Sequence, residues 1–286
     1  MVISQTPLRL SFVGGGSDLK EFWTLNDGKV LSSTIDKYIY VIIKERFDKK
    51  IVLNYTKREI VTSSKDIKHD LVREALIKTN IDYGVEIWTP SDIPSEGSGL
   101  GSSSTLTVGL LNAFYAYKGI QMTSTTLAEQ ACNIEIDILG KPIGKQDQYV
   151  AAYGGLNKFI FKSDNSVEIH PIQLKGRERL LLGSNLMMHF TGITRETNTI
   201  LDEQKLNTER KMNELMKLVS FVPVLEKALD EKRYDELGIL LKKSWELKKK
   251  LSSNITNNEI EKMIDISNLN GALGCKIAGA GGGGGA

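Results

Sequence analysis

One short segment restricts the fold of this chain more than any other: residues 94–104 read PSEGSGLGSSS. Apolar residues follow it at helical spacing, so the sequence predicts that the segment opens directly into a helix. Glycines let backbone N–H groups approach an anion, and a helix N-terminus adds unpaired donors and a positive dipole end. We interpret the segment as a cradle for nucleotide phosphates. A solvent-exposed linker is the alternative.

The common nucleotide-binding motifs are missing from the sequence. It contains no GxxxxGK[ST] pattern, and the spacing of Gly97, Gly99 and Gly101 is not that of GxGxxG. The HRD and DFG motifs of protein kinases are missing as well. The phosphate loop therefore belongs to another class.

Length and composition limit the partners that we expect. The chain has 286 residues, enough for two ordinary domains, with 41% hydrophobic and 25% charged residues. The net charge is +2 and the basic residues are dispersed, so we expect no nucleic acid partner. No segment reads as a signal peptide or a membrane span, which predicts a cytoplasmic protein without a membrane partner. Cys132 and Cys275 lack zinc-site spacing, and we expect both to be reduced thiols.

Periodicity indicates how the chain is organised. Alternating β-branched and aromatic residues over 29–61 predict antiparallel strands, and a helix is expected over about 70–78. Beyond residue 175 the sequence turns to long charged helices, predicted over about 196–218, 224–231 and 235–251. We therefore divide the chain into domains 1–175 and 176–286.

Two residues near the N-terminus are candidate site residues. Asp18 follows the glycine turn Gly14-Gly15-Gly16, where its carboxylate could accept hydrogen bonds from sugar hydroxyls; a plain helix N-cap is the alternative. Arg9 lies in the first strand, where a charged side chain needs a partner such as a phosphate or a carboxylate. The alternative is an edge-strand arginine that reaches water.

Glu135 and Asp147 are candidate acids because a turn with two glycines and a proline separates them, so both could face one pocket. Phosphoryl transfer uses Mg²⁺ on the phosphate oxygens and commonly a carboxylate beside the attacking hydroxyl. Ordinary surface carboxylates are an equally open interpretation. We interpret the run Lys248-Lys249-Lys250 as a solvated helix face.

Three blocks in this order resemble the GHMP small-molecule kinases: residues 7–18 (PLRLSFVGGGSD), 99–104 (GLGSSS) and 279–284 (GAGGGG). The resemblance extends over nearly the whole chain. Within the family, residues 10–18, Glu135 with 140–149 (GKPIGKQDQY), and 190–195 (FTGITR) are most similar to kinases that act on a heptose 7-phosphate.

The resemblance implies an α+β fold with two domains. The N-terminal domain would be similar to domain 2 of ribosomal protein S5, the C-terminal domain would be ferredoxin-like, and the site would lie between them. Relatives continue past the last glycine block into an apolar strand, so we expect the C-terminal domain to be truncated at its end.

The resemblance also implies a role for each candidate residue. Asp147 would be the catalytic aspartate, steadied by Arg9. Mg²⁺ would bind Ser103 and Glu135, with Ser104 as the alternative to Ser103. The ATP phosphates would be bound by Gly97, Gly99, Leu100, Gly101, Ser102, Ser103 and Ser104. The acceptor would be bound by Gly15, Gly16, Ser17, Asp18, Lys145, Thr191, Arg195, Gly281 and Gly282.

The implied reaction is ATP-dependent phosphorylation of the anomeric hydroxyl of heptose 7-phosphate, for nucleotide-activated heptose and surface polysaccharide. The acceptor's own phosphate needs cationic residues, and Arg195, Lys145 and Arg73 are the candidates. Another acceptor such as L-fucose, or a non-catalytic sensor of ATP or sugar, is the alternative function. We expect a monomer or a homodimer.

Overall fold

The computed structural model describes residues 1–94, 98–193, 202–203, 205–252 and 255–281. The strands are β1 (Val2–Val13), β2 (Gly28–Glu45), β3 (Ile51–Asn54), β4 (Arg58–Val61), β5 (Val85–Trp88), β6 (Leu156–Phe161) and β7 (Val167–Pro171). The helices are α1 (Lys20–Trp23), α2 (Asp70–Lys78), α3 (Ser102–Tyr117), α4 (Ser124–Cys132), α5 (Gln146–Tyr153), α6 (Gly176–Ser184), α7 (Met212–Asp230), α8 (Asp235–Lys248) and α9 (Asn258–Leu269).

The strands form one mixed sheet in the order β4-β3-β5-β2-β6-β7, and β1 also pairs with β2. The long strand β2 pairs with β1 along one edge, and with β6 near its start and β5 near its end along the other. The β1–β2 and β3–β4 pairs are antiparallel, as the alternating pattern predicts, whereas β3 and β5 are parallel.

The pairing of β1 with β2 is irregular at two places, between Pro7 and Arg9 and between Ser11 and Val13. Such irregularities redirect side chains and are frequent beside functional sites. The first lies at Arg9, and the second precedes the glycine turn of residues 14–16. The pairing of β1 thus shifts register at Arg9 and just before the glycine turn, the two places in this segment that hold candidate site residues.

Several hydrophobic clusters lie against the sheet, and two of them position the elements around the site. The largest packs α2 and α3 against β2, β3 and β5, with Phe114 of α3 and Leu53 of β3 fully buried. A second cluster packs Val222 and Leu225 of α7 against Phe12 of β1 and Leu31 of β2. Because α7 rests on the first two strands, the C-terminal helices are held beside the glycine turn.

The α+β class expected from the sequence is confirmed. The predicted boundary near residue 175 falls between β7 and α6; the division into domains 1–175 and 176–286 stays a prediction. After Pro171 the described residues form helices and loops without a further β-strand of the sheet, so they do not display a ferredoxin-like sheet. In the described part of the chain, no helix combines the length and apolar composition needed to cross a membrane.

One predicted helix break is wrong. The sequence predicts separate helices ending near 218 and beginning near 224, but α7 continues through Pro223. Proline costs an intrahelical hydrogen bond. Buried contacts from Val219 and Val222 before it and Leu225 after it hold both halves of α7 on the protein, which offsets that cost.

Candidate active site

Arg9 and Asp147 form the central ion pair of the site. Arg9 Nε donates to Asp147 Oδ1 at 2.7 Å and Nη2 donates to Oδ2 at 2.6 Å, a parallel two-bond geometry. Arg9 is 4% exposed, and Asp147, in the first turn of α5, is 22% exposed. The partner that a buried strand arginine requires is therefore this carboxylate, and one side of Asp147 still faces solvent.

The glycine loop is fastened to the same arginine. Arg9 Nη1 donates to the Gly99 carbonyl at 2.7 Å, and the Arg9 amide donates to the Leu100 carbonyl at 3.1 Å. Leu100 packs in a small cluster with Leu8 and Ala278, and its amide contacts the Ser98 hydroxyl at 3.4 Å. Leu100 thus anchors the loop with its side chain and its backbone.

Gly101 must be glycine for two reasons. It precedes α3 with φ +79°, and a Cβ there would lie 3.2 Å from both Arg9 Cγ and Asp147 Oδ2. A positive φ is costly for other residues, and a side chain would also press on the ion pair. The loop therefore lies directly against the carboxylate.

The loop also crosses the last glycine block. A Cβ on Gly99 would lie 2.7 Å from the Ala278 carbonyl oxygen, and one on Gly279 would lie 2.6 Å from the Gly99 carbonyl oxygen. Both residues have a positive φ. These backbones approach so closely that only glycine fits, so two of the three sequence blocks meet at one point.

The start of α3 has the donors that a phosphate needs. Its first i to i−4 hydrogen bond runs from the Thr105 amide to the Gly101 carbonyl at 2.9 Å. The amides of Ser102, Ser103 and Ser104 precede that bond and have no hydrogen-bond acceptor among the described residues. The hydroxyls of Ser98 and Ser102 are 2.8 Å apart at the same helix end. This geometry matches an anion cradle.

Ser103 and Glu135 are brought together beside the cradle. Ser103 Oγ donates to Glu135 Oε1 at 2.5 Å, and Lys141 Nζ lies 2.9 Å from Ser103 Oγ and 3.4 Å from Glu135 Oε1. Glu135 is fully buried, and Gln148 Nε2 donates to its Oε2 at 2.8 Å. Ser104, the alternative metal ligand, is buried within α3.

Local helix geometry sets the position of Glu135. The chain continues from α4 into a π-helical turn, Asn133–Ile138, and Glu135 lies within it. Such turns are rare and frequent at functional sites. The widened turn directs a carboxylate inward, which the sequence pattern of a plain α-helix does not predict.

This donor set fits Mg²⁺. A buried carboxylate and a hydroxyl at contact distance leave the remaining positions for phosphate oxygens and water, as Mg²⁺ prefers. The Lys141 ammonium lies beside both oxygens, which is further evidence that the spot favours a cation. No cluster of three or more His, Cys, Asp or Glu side chains arises among the described residues, so a site made of protein carboxylates alone is not formed there.

Asp18 lies across from Asp147. Its carboxylate accepts hydrogen bonds from the Gly16 amide at 3.1 Å and from the Gln146 amide at 3.3 Å. Burial, and next the negative charge of Asp147, raise the pKa of Asp18. The helix-cap alternative is wrong for α1, since α1 begins at Lys20 without a side-chain cap. Asp18 instead bonds to the first residue of α5.

The other residues of the glycine turn have structural contacts. Ser17 is fully buried; its hydroxyl oxygen lies 2.8 and 3.0 Å from the Gly14 and Lys29 carbonyl oxygens, which share its one proton, and accepts from the Lys29 amide. Gly16 has φ +96° and lies against Leu215, and Gly15 lies beside the Ser11 hydroxyl. Contact of these three residues with a sugar stays a prediction, and for Ser17 the hydroxyl is already engaged in the turn.

Lys145 and Arg73 are engaged away from Asp147. Lys145 Nζ bonds to the carbonyl and the side chain of Asn165 and lies 4.1 Å from the centre of the Trp23 ring. Burial, the largest cause, lowers its pKa. Arg73 bonds to Glu74 and to the Ile67 carbonyl. Neither cation contacts the Arg9–Asp147 pair in the described structure.

The remaining acceptor candidates are spread over the C-terminal part. Thr191 accepts a hydrogen bond from the Ile193 amide at 3.3 Å. Gly281 has φ +101°, and a Cβ there would lie 2.8 Å from Ile255 Cγ2. Three predicted site residues lie outside the described residues: Gly97, Arg195 and Gly282.

Two lysines that the sequence does not single out contact the segments around the ion pair. Lys248 bonds to the Gly279 carbonyl, and Lys276 Nζ donates to the Phe12 carbonyl at 3.0 Å. The interpretation of residues 248–250 as a solvated helix face is wrong for Lys248, which is half-buried. The sequence marks Lys248 only as one of three consecutive lysines in the helix predicted over about 235–251.

Comparison with known protein families identifies the class of protein to which this fold and this site belong. Residues 65–155 match the N-terminal domain of the GHMP kinases and residues 225–286 match their C-terminal domain. This chain belongs to the GHMP kinase family and is a phosphotransferase with an alcohol group as acceptor.

Particular relatives are similar over most of the chain. D-glycero-alpha-D-manno-heptose 7-phosphate kinase of Campylobacter jejuni is 33% identical, covering 98% of this chain and 87% of that protein. L-fucokinase/L-fucose-1-P guanylyltransferase of Bacteroides fragilis is 28% identical over 70% of this chain and 22% of that protein. A crystal structure of D-glycero-D-manno-heptose 1-phosphate kinase from Bacteroides thetaiotaomicron superposes with a TM-score of 0.81 at 27% identity, covering 98% and 86%.

Proposed function

We propose that this chain transfers the terminal phosphoryl group of ATP to the anomeric hydroxyl of D-glycero-D-manno-heptose 7-phosphate. The product is the 1,7-bisphosphate, a precursor for nucleotide-activated heptose. The name of the Campylobacter jejuni relative supports this acceptor. The Bacteroides structure is named for a heptose 1-phosphate, so the two relatives agree on a heptose phosphate and differ in its position.

One observation carries the proposal: the Arg9–Asp147 pair lies directly beneath the loop that precedes α3. Arg9 bonds to both oxygens of Asp147 and to the Gly99 carbonyl. An acid, a cation and a set of unpaired helix amides therefore meet at one place. Phosphoryl transfer depends on this kind of positioning and charge stabilisation more than on covalent chemistry.

Asp147 would serve the attacking hydroxyl. Each carboxylate oxygen has a further lone pair beyond its bond to Arg9, and the group is partly open to the cleft. The acceptor O–H would donate to Asp147, and the hydroxyl proton would pass to the carboxylate as the oxygen bonds to the γ-phosphorus. The bond from that phosphorus to the bridging oxygen breaks, and ADP leaves with the electron pair.

Arg9 and the start of α3 would bind the phosphates. Arg9 holds Asp147 in place and carries a fixed positive charge at the point where the phosphoryl group moves. The amides of Ser102, Ser103 and Ser104 would donate to phosphate oxygens of ATP. Ser103 and Glu135 would hold Mg²⁺, which neutralises the charge of the β- and γ-phosphates when it is bound.

The experiment is phosphorus NMR of products from ATP, Mg²⁺ and a panel of acceptors: heptose 7-phosphate, unphosphorylated heptose, mannose and L-fucose. We expect a new phosphate signal coupled to the anomeric proton, with heptose 7-phosphate as the best acceptor. A product phosphorylated at another carbon, or a preference for L-fucose, would contradict the assigned acceptor. Nucleotide binding without any sugar-dependent turnover would favour the sensor instead.

A further inference from the structure

Lys248 and Lys276 converge on the Arg9–Asp147 pair from the C-terminal part of the chain. Lys248 is the last residue of α8, and Lys276 lies just before the final glycine block. Lys248 bonds to the carbonyl of Gly279, whose backbone crosses Gly99, and Arg9 holds the Gly99 carbonyl. Lys276 bonds to the Phe12 carbonyl of β1, the strand that carries Arg9. Both lysines therefore belong to the same cleft as the candidate catalytic pair.

Neither lysine has a carboxylate within ion-pair distance among the described residues. Their hydrogen bonds go to neutral backbone carbonyls, that of Gly279 for Lys248 and that of Phe12 for Lys276. Each such bond uses one of three ammonium donors. Counting only bonds to described residues, two donors on each group are left for a further acceptor in the cleft.

The placement of these two lysines is costly without a ligand. Both side chains are half-buried, and burial is the largest cause of the lowered pKa of each. Repulsion from Arg9 lowers both further. A surface lysine would avoid this cost by extending into water, so a bound anion is the natural compensation.

The charges in the cleft favour a bound anion. Arg9 is matched by Asp147 through two hydrogen bonds. Asp18, whose pKa is raised by burial and by Asp147, forms no ion pair with either lysine among the described residues. A phosphate group carries about −1.5 to −2 charges near neutral pH and has several strong acceptor oxygens, so it can accept from both ammonium groups.

We propose that Lys248 and Lys276 together bind a phosphoryl group of a substrate held in this cleft. This inference rests on the proposed function and extends it to two further residues. Lys145 and Arg73, two of the candidates that the sequence offers for the acceptor's phosphate, bond to other protein groups in the described structure. The bound group is either the acceptor's own phosphate or the phosphoryl group in transfer, because both are phosphate oxygens within one cleft.

The first test uses Lys248→Met and Lys276→Met, which remove the charge and keep a long side chain. Lys250→Met is the matched control, because Lys250 is exposed two residues after Lys248. Thermal unfolding of each variant identifies those that fold, and the two lysines provide independent variants. The steady-state constants are measured with heptose 7-phosphate, with unphosphorylated heptose and with ATP.

The outcomes distinguish the two sources of the phosphoryl group. A rise of about 10- to 100-fold in KM for heptose 7-phosphate alone, the range for a lost charged hydrogen bond, assigns the lysines to the acceptor's phosphate. A fall of similar size in kcat with both acceptors assigns them to the group in transfer. Kinetics in both variants like those of Lys250→Met would overturn the proposal.

A second test does not depend on catalysis. Inorganic phosphate is titrated into the nucleotide-free enzyme by calorimetry. We expect binding in the unmodified chain and in Lys250→Met, and a loss of about tenfold or more in affinity in both other variants. Equal phosphate affinity in all four proteins would overturn the lysine site. Absence of kinase activity together with this lysine-dependent binding would contradict the proposed function and leave the phosphate site supported.

Discussion

Arg9 and Asp147, 138 positions apart in the sequence, are joined by two parallel hydrogen bonds of 2.7 and 2.6 Å. The third donor of the same guanidinium holds the Gly99 carbonyl. One side chain from the irregular part of β1 therefore links the helix that carries the acid to the loop that precedes α3. The positions of the acid and of Gly99 are coupled through this residue.

Arg9→Lys tests that coupling, because lysine keeps the charge and cannot reproduce the planar fork. We expect the lysine to keep one hydrogen bond to Asp147 and to lose the hydrogen bond to the Gly99 carbonyl. The KM for ATP should rise and kcat should fall about tenfold, the usual effect of one lost charged hydrogen bond. Arg9→Met should reduce kcat further, since it leaves Asp147 without its partner. Equal kinetic constants for Arg9→Lys and the unmodified enzyme would show that catalysis does not need the planar guanidinium of Arg9.

Gly99→Ala tests the crossing of the two glycine segments. Alanine at φ +70° costs about 1–2 kcal/mol of unfolding free energy, and its Cβ would also meet the Ala278 carbonyl. Gly119→Ala is the control, since Gly119 has φ +74° with nothing within 4 Å. Urea unfolding should give Gly99→Ala a further loss of about 1–3 kcal/mol beyond the control. Equal losses would mean that the backbones do not meet.

Ser103→Ala and Ser104→Ala test the metal site and its register. Only Ser103 contacts Glu135, at 2.5 Å, whereas Ser104 is buried within α3. We expect Ser103→Ala to raise the Mg²⁺ concentration for half-maximal activity about tenfold or more, and Ser104→Ala to leave it nearly unchanged. The reverse order would move the ligand to Ser104.

The affinity for phosphate should depend on pH through Lys248. Burial and Arg9 lower the pKa of Lys248 to about 8, while Asp18 and Asp147 act in the opposite direction and Lys276 adds a neighbouring cation. An anion favours the charged lysine, so binding takes up a proton above pH 8 and none well below it.

Proton linkage gives the direction in which the affinity for phosphate changes with pH. The affinity for inorganic phosphate should change little through Lys248 well below pH 8 and should fall as pH rises through 8, by up to about tenfold per unit for each proton taken up. Calorimetric titration from pH 7 to 9.5 measures this fall, which should be smaller in Lys248→Met. An affinity that rises across the interval would contradict the assignment.

Local pattern predicted much of the fold. The helix expected over about 70–78 is α2 (Asp70–Lys78), because its apolar spacing and its burial agree. The helix expected after the glycine and serine segment is α3, whose first residue is Ser102. The continuity of α7 through Pro223 was not predicted, since buried contacts on both sides of a proline are tertiary and leave no local signal.

Motifs in the sequence indicated several of the residues that the structure brings together, and contacts between distant segments were missed. Glycine blocks marked the loop and its crossing partner, residues 7–18 indicated Arg9, and residues 140–149 indicated Asp147. Lys141 and Gln148 hold Ser103 and Glu135 through contacts that depend on a π-helical turn, which has no sequence signature. Lys248 reaches the cleft because α8 packs against α7. The run of lysines at the end of α8 does not predict this tertiary contact.

The turnover rate of Asp147→Asn, measured together with the dissociation constant of ATP, tests the central claim most directly. Asparagine keeps the size of the side chain and cannot take the hydroxyl proton. The account predicts a fall in kcat of about 10²- to 10⁴-fold, the range for loss of a positioned acid or base, with ATP affinity within about threefold of the unmodified enzyme. Near-normal turnover in this variant would remove Asp147 from the reaction and contradict the account.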